Sequence, residues 1–179
     1  MKIKNISIKD RIKQYFFNNP TSRLRVRQIE RLLKIPLPSV IRYAKELENE
    51  EMLASTDISG VNFYTAGRSN KRFLIEKKLY NIKKLFDSGL VDYLAQEYSN
   101  PIIIVFGSYS KGEDIESSDI DLYIETKKKQ DFNLEKSEKI LGRKIQVFNF
   151  ENITKIPNKE LSNNIINGIV LNGFLEVFR

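Results

Sequence analysis

Apolar positions in the first third of the chain recur at helical spacing. Residues 7–18 carry Ile8, Ile12, Tyr15 and Phe16 at that period, and the run Asn18-Asn19-Pro20-Thr21-Ser22 then stops it. A second helix is predicted over residues 26–33. The turn Lys34-Ile35-Pro36-Leu37 follows, and Pro38-Ser39 opens a third helix running to about Glu50. In that third helix Val40, Ala44 and Leu47 fall on one side and pack inward, which leaves Ser39, Arg42, Tyr43 and Glu46 on the other. The pattern then changes to extended stretches, Met52-Leu53-Ala54 and Val61-Asn62-Phe63-Tyr64-Thr65. They flank Ser59-Gly60, which reads as a β-hairpin.

Helical spacing returns over residues 70–86, where Ile75, Leu79, Ile82 and Phe86 repeat among many lysines and Ser88-Gly89 marks the end. This is read as a connecting helix, and a shorter one over residues 90–98 leads to Asn100-Pro101. Ile102-Ile103-Ile104-Val105-Phe106 is a continuous apolar run, as expected of a strand covered on both faces, and Gly107-Ser108 ends it abruptly. Residues 118–125 alternate carboxylates with aliphatics, so a strand there places Asp119, Asp121 and Glu125 on one face. The expected fold class is a two-domain α/β (α+β) chain. Residues 1–68 form a helical module with a hairpin, residues 69–88 a helical connector, and residues 89–179 a small domain with a mixed sheet.

Composition narrows the chemistry. The chain has no cysteine and no histidine, so disulfides, a thiol nucleophile, zinc triads and imidazole acid/base catalysis are excluded, and catalysis must rely on carboxylates and metal. No run of about 18 apolar residues is present and the N-terminal stretch is charge-studded, so a cytoplasmic protein with no membrane partner is expected. The net charge of +7 is concentrated at one end. Residues 1–50 hold 12 Lys+Arg against 5 Asp+Glu, whereas residues 101–179 hold 11 against 12. An anionic partner is steered to the N-terminal end, and carboxylates gather at the C-terminal end as a cation site requires. The run Lys127-Lys128-Lys129 is read as a solvated loop.

Residues 7–66 resemble winged helix-turn-helix domains, the hairpin being the wing. The resemblance implies binding to double-stranded DNA, with Ser39, Arg42 and Tyr43 on the face that enters a major groove. The same fold also docks proteins, so that reading stays beside the first.

In the C-terminal domain, the glycine of Gly107-Ser108 lets backbone approach a ligand. If Tyr109 begins a helical turn, amides and the Ser108 hydroxyl face an anion such as a triphosphate. Asp119 and Asp121 stand roughly 6–7 Å apart at their α-carbons on one strand face, close enough for both carboxylates to converge on Mg2+. Gly107-Ser108, ten intervening positions and Asp119-Ile120-Asp121-Leu122 resemble the signature of the DNA polymerase beta-like nucleotidyltransferase superfamily. The closer context, residues 106–113 followed by Ser117-Ser118-Asp119-Ile120-Asp121, is similar to the minimal nucleotidyltransferases. Those are antitoxin members of two-gene modules whose partners are HEPN-type toxins. Residues 165–171 are similar to the closing segment of those domains. The resemblance implies that Gly107 and Ser108 hold the β- and γ-phosphates of ATP or another nucleoside triphosphate. Asp119 and Asp121 are then the catalytic, metal-binding pair for Mg2+ or Mn2+, and Lys111 stands where the family often carries arginine. A second copy of the chain is a further admissible partner.

One position departs from the pattern. The family supplies a third carboxylate from the next strand, here Lys144-Ile145-Gln146-Val147-Phe148, and Gln146 occupies its place. A neutral amide neither holds a catalytic metal well nor takes a proton from the attacking hydroxyl, and Glu125, on the same strand face as the aspartates, is the candidate substitute. Two functions follow. One is an enzyme moving a nucleoside monophosphate to a hydroxyl of a protein or nucleic acid. The other is a domain that has lost the chemistry and serves as a DNA-binding regulator or antitoxin-like protein. Tyr109 and Tyr123 are open between stacking on a base and packing inside.

Overall fold

The computed structural model describes residues 6–127 and 132–177. The chain divides into two compact units, Met1–Lys77 and Lys78–Arg179.

The first unit opens with α1 (Ile8–Asn18). Ser7 caps it, its hydroxyl accepting from the Asp10 amide at 3.0 Å. Next comes α2 (Val26–Leu33), which ends on Lys34 in the left-handed region, and Pro36 and Pro38 then start α3 (Leu37–Asn49). Ile12, Phe16, Ile29, Val40, Ala44 and Leu47 are all fully buried, so each of the three helices turns its apolar face into one core. The strands β1 (Leu53–Ile58) and β2 (Val61–Ala66) pair antiparallel, with Ile58 opposite Val61. That register leaves Ser59 and Gly60 as a two-residue loop, both at positive φ, the conformation whose twist matches a hairpin. Leu24 adds an antiparallel bridge to Tyr64.

Next in the chain is a long helix, α4 (Lys71–Asp87). Its buried residues are Phe73, Lys77, Asn81 and Leu85, four apart along one side. The apolar stripe that marked this helix in the sequence lies elsewhere: Ile75, Leu79 and Phe86 are 47%, 63% and 46% exposed.

The second unit continues with α5 (Leu90–Glu97), β3 (Ile102–Phe106), α6 (Gly107–Lys111), β4 (Ile120–Glu125), α7 (Glu135–Leu141) and β5 (Ile145–Phe150). A 3-10 turn (Ile153–Lys155), α8 (Lys159–Ile166) and β6 (Ile169–Asn172) complete it. The sheet is mixed, in the order β5-β4-β3-β6. β4 and β5 are parallel across the α7 crossover, and β3 is antiparallel to both of its neighbours. Ile103 and Val105 pack with Leu94, Ile120 and Leu122 on one face, while Ile104 and Phe106 pack with Tyr123, Ile153 and Ile165 on the other. Burial on both faces is what the unbroken apolar run of β3 requires. Among the described residues no helix is long and apolar enough to cross a membrane. Of the lysine run, Lys127 lies 3.4 Å from Glu151, and Lys128 and Lys129 are outside the described residues.

Candidate active site

The site is built where β3 ends against β4. Phe106, the last residue of β3, pairs with Asp121, and the chain enters α6 at Gly107 with φ +71°. Two features favour glycine at position 107. The backbone lies in the left-handed region, and a Cβ there would run into the Asp121 carboxylate. Glycine is therefore what allows the carboxylate and the strand-to-helix turn to occupy the same place. Ser108 follows in the first turn of α6, half-buried, and Ser110 braces that turn by donating to the Gly107 carbonyl at 2.9 Å. Lys111, in the last turn, is exposed.

Asp119 lies just before β4 and is exposed, and Asp121 is half-buried within the strand. Burial raises the Asp121 pKa above the ordinary carboxylate range, and the nearby charge of Asp119 raises it further. The two charges therefore repel, and a cation bound between them would offset that repulsion. β4 and β5 run in parallel register with Asp121 directly across from Gln146, so the amide shares a sheet face with the carboxylate. Gln146 is exposed, not sunk in the core.

The donor set fits a divalent ion that takes part of its shell from phosphate and water. Two carboxylates on one short segment, beside a glycine that keeps the approach open, are the kind of protein contribution Mg2+ accepts. Among the described residues no cluster of three or more acidic, histidine or cysteine side chains is present, so the protein offers a partial shell and not a closed cage.

Glu125 does not serve as the missing acid. It does share the Asp121 face, but it sits four residues along β4, roughly 13 Å away at the strand rise. Its carboxylate accepts from the Tyr123 hydroxyl at 2.8 Å and from the Ile153 amide at 3.2 Å, which commits it to holding the 3-10 turn against the sheet. The two open tyrosines resolve as packing residues. Tyr123 is fully buried and Tyr109 is 2% exposed, so neither presents a ring to a base, and burial pushes both phenols well above their usual range.

Three side chains that carry no motif hold the segment between α6 and β4. Asp114 is 1% exposed and accepts from Asn81 Nδ2 at 2.7 Å, with Arg143 Nη2 at 3.4 Å. Asn81 also donates to the Tyr109 carbonyl at 3.0 Å, tying α4 to α6. Burial lowers the Lys84 pKa nearby, and the charge of Arg143 lowers it further. At the far end of the segment, Ser118 accepts from the Ile115 amide at 3.0 Å and closes the turn that presents Asp119.

In the first unit, Arg42 projects from α3 with its side chain 63% exposed. Its guanidinium lies 4.3 Å from the centre of the Tyr43 ring and bonds the Tyr43 hydroxyl, with Glu46 at 3.7 Å. Ser39 and Tyr43 are half-buried on the same helix, so of the three outward positions Arg42 is the one that reaches furthest into solvent.

The family described as Polymerase beta, Nucleotidyltransferase matches residues 89–173, a stretch that contains the whole of the Gly107–Asp121 arrangement. No curated protein and no solved structure matches the chain. The match supports the nucleotidyltransferase superfamily for residues 89–173.

Proposed function

We propose that residues 89–173 bind a magnesium nucleoside triphosphate, ATP in the first instance, and transfer its nucleoside monophosphate to a hydroxyl of a protein or nucleic acid. The observation that carries this reading is the contact of Gly107 with Asp121, which sets a glycine turn and a carboxylate pair against one another. Gly107 and Ser108 face the β- and γ-phosphates, and Lys111 lends a positive charge at the end of the same short helix. Asp119 and Asp121 hold Mg2+ or Mn2+, which when bound neutralises phosphate charge and aligns the hydroxyl with the α-phosphorus. A bond forms from the hydroxyl oxygen to that phosphorus, the bond to the bridging oxygen breaks, and pyrophosphate leaves. The hydroxyl proton passes to solvent water, no carboxylate standing at position 146 to take it, so transfer is slow.

A second reading rests on the same residue. With Gln146 beside Asp121, the domain holds its nucleotide without using it, and the protein acts as a DNA-binding regulator or as an antitoxin-like partner of a HEPN-type toxin. In both readings the first unit is a winged helix-turn-helix that binds duplex DNA. The three helices, the hairpin and the solvent-facing Arg42 support this.

Incubation with ATP labelled on the α-phosphate, with Mg2+ or Mn2+ and a cell extract as acceptor, separates the readings. Label retained on a macromolecule supports transfer. Label retained only from γ-labelled ATP contradicts nucleotidyl transfer outright. Nucleotide binding with no retained label selects the regulator.

A further inference from the structure

The exposed stripe of α4 has the spacing of a helix-pairing seam. Ile75, Leu79, Ile82 and Phe86 are separated by four, three and four positions, the alternation that keeps one apolar line facing a second helix. Three of the four are about half exposed or more, Leu79 most of all at 63%, and Ile82 is partly buried at the margin. The buried positions Phe73, Lys77, Asn81 and Leu85 occupy the opposite side of the same uninterrupted helix. An isolated exposed leucine needs no explanation, but three apolar positions with heptad spacing on the outer side of one helix, Ile75, Leu79 and Phe86, do. Packing inside the fold does not account for them.

We propose that α4 pairs antiparallel with α4 of a second copy of the chain. The arrangement is self-complementary: Ile75 sits opposite Phe86 of the second copy, and Leu79 opposite its Ile82, so every apolar position of the seam finds another. The charges flanking the seam choose the direction. In an antiparallel pair, Glu76, which also accepts from Lys13 at 2.8 Å within its own chain, faces Lys83 of the second copy, and by the two-fold symmetry this attraction occurs twice. In a parallel pair, Lys78 of each copy faces Lys83 of the other. That repulsion cancels the attraction between Lys71 and Glu76. Lys83 is free to swing to a new partner, since it is 69% exposed and its bond to Asp87 lies on the helix surface. The seam is three turns long, well short of a standard interface of about 800 Å² per partner, so the dimer is reversible.

Sedimentation equilibrium of the full chain across a range of concentrations tests the proposal. Wild type forms a monomer–dimer equilibrium, and Leu79→Glu raises its dissociation constant at least ~10-fold. The thermal unfolding of Leu79→Glu in dilute solution is unchanged, because the side chain is already exposed in the monomer. Direction is read separately, since the chain has no cysteine of its own. With a short bismaleimide, a mixture of Ile75→Cys and Phe86→Cys chains cross-links one to the other, whereas Ile75→Cys alone does not. A wild type that stays monomeric at every concentration overturns the proposal, as does a Leu79→Glu chain that dimerises like wild type. Efficient self-cross-linking of Ile75→Cys overturns the antiparallel pairing.

Discussion

Gln146 lies directly across from Asp121 in the parallel pairing of β4 with β5, so a neutral amide stands beside the carboxylate that burial and Asp119 have already made reluctant to ionise. The strand carrying position 146 is in place and in register. On the proposed reading, what position 146 lacks is charge and not location.

Restoring the acid therefore needs no backbone change. Gln146→Asp or Gln146→Glu is expected to raise transfer of labelled AMP from ATP at least ~10-fold, since a positioned general base contributes roughly 10²–10⁴-fold. Without metal the unfolding temperature should fall slightly, because the new charge faces Asp121. An unchanged rate in both variants would mean that position 146 does not limit the reaction.

The raised pKa of Asp121 makes a stability statement with a definite sign. Its native pKa lies above its unfolded one, so the native state gains from the protonated form below the unfolded pKa. That gain is lost as pH rises through the native pKa. Asp121→Asn removes the dependence. In metal-free buffer the variant should melt above wild type near neutral pH. The gap should shrink toward zero in acid. A variant that melts below wild type at neutral pH would show that the charge is stabilised by the fold, contrary to the strained pair described above.

Arg42 is exposed on α3, on the face proposed to meet DNA. Duplex DNA should bind the full chain with an affinity that falls steeply with salt, as expected when Lys and Arg neutralise phosphates and release counterions. Arg42→Ala should weaken it, by roughly 1–3 kcal/mol if the guanidinium reads a base edge, or less with a shallower salt slope if it meets only phosphate. Electrophoretic mobility shift at two salt concentrations distinguishes these. No binding at low salt would return α3 to the protein-docking reading.

Much of this was legible in the sequence, because the decisive signals were local. Gly107-Ser108 and the Asp119/Asp121 alternation are fixed by strand periodicity and by glycine's freedom at positive φ. The ends of α1 and α2 follow from Ser7, Pro20 and the turn at Lys34 to Pro36. Periodicity located α4 but could not tell which of its sides meets the protein, since the stripe of Ile75, Leu79 and Phe86 is the outer one. The network of Asn81, Asp114 and Arg143 spans separations of 33 and 29 positions and leaves no local trace, although an aspartate in a spacer of a phosphate-binding motif was a signal worth weighing. Glu125 failed as a substitute acid for a related reason. Alternation gives the face of a strand, whereas reach along it and competition from Tyr123 and Ile153 belong to the folded state.

The account turns on Asp119 and Asp121 holding a magnesium nucleotide against Gly107, and calorimetric titration of the full chain with Mg-ATP tests it most directly. Wild type should bind one equivalent and be stabilised by about 2.7 kcal/mol at a hundredfold excess over its dissociation constant, a rise of roughly 5–10 degrees in melting temperature. Asp119→Asn combined with Asp121→Asn should lose both the heat and the rise, while still folding. Equal binding by wild type and the double variant would contradict the account, since the nucleotide would then be held without the two carboxylates around which the site is built.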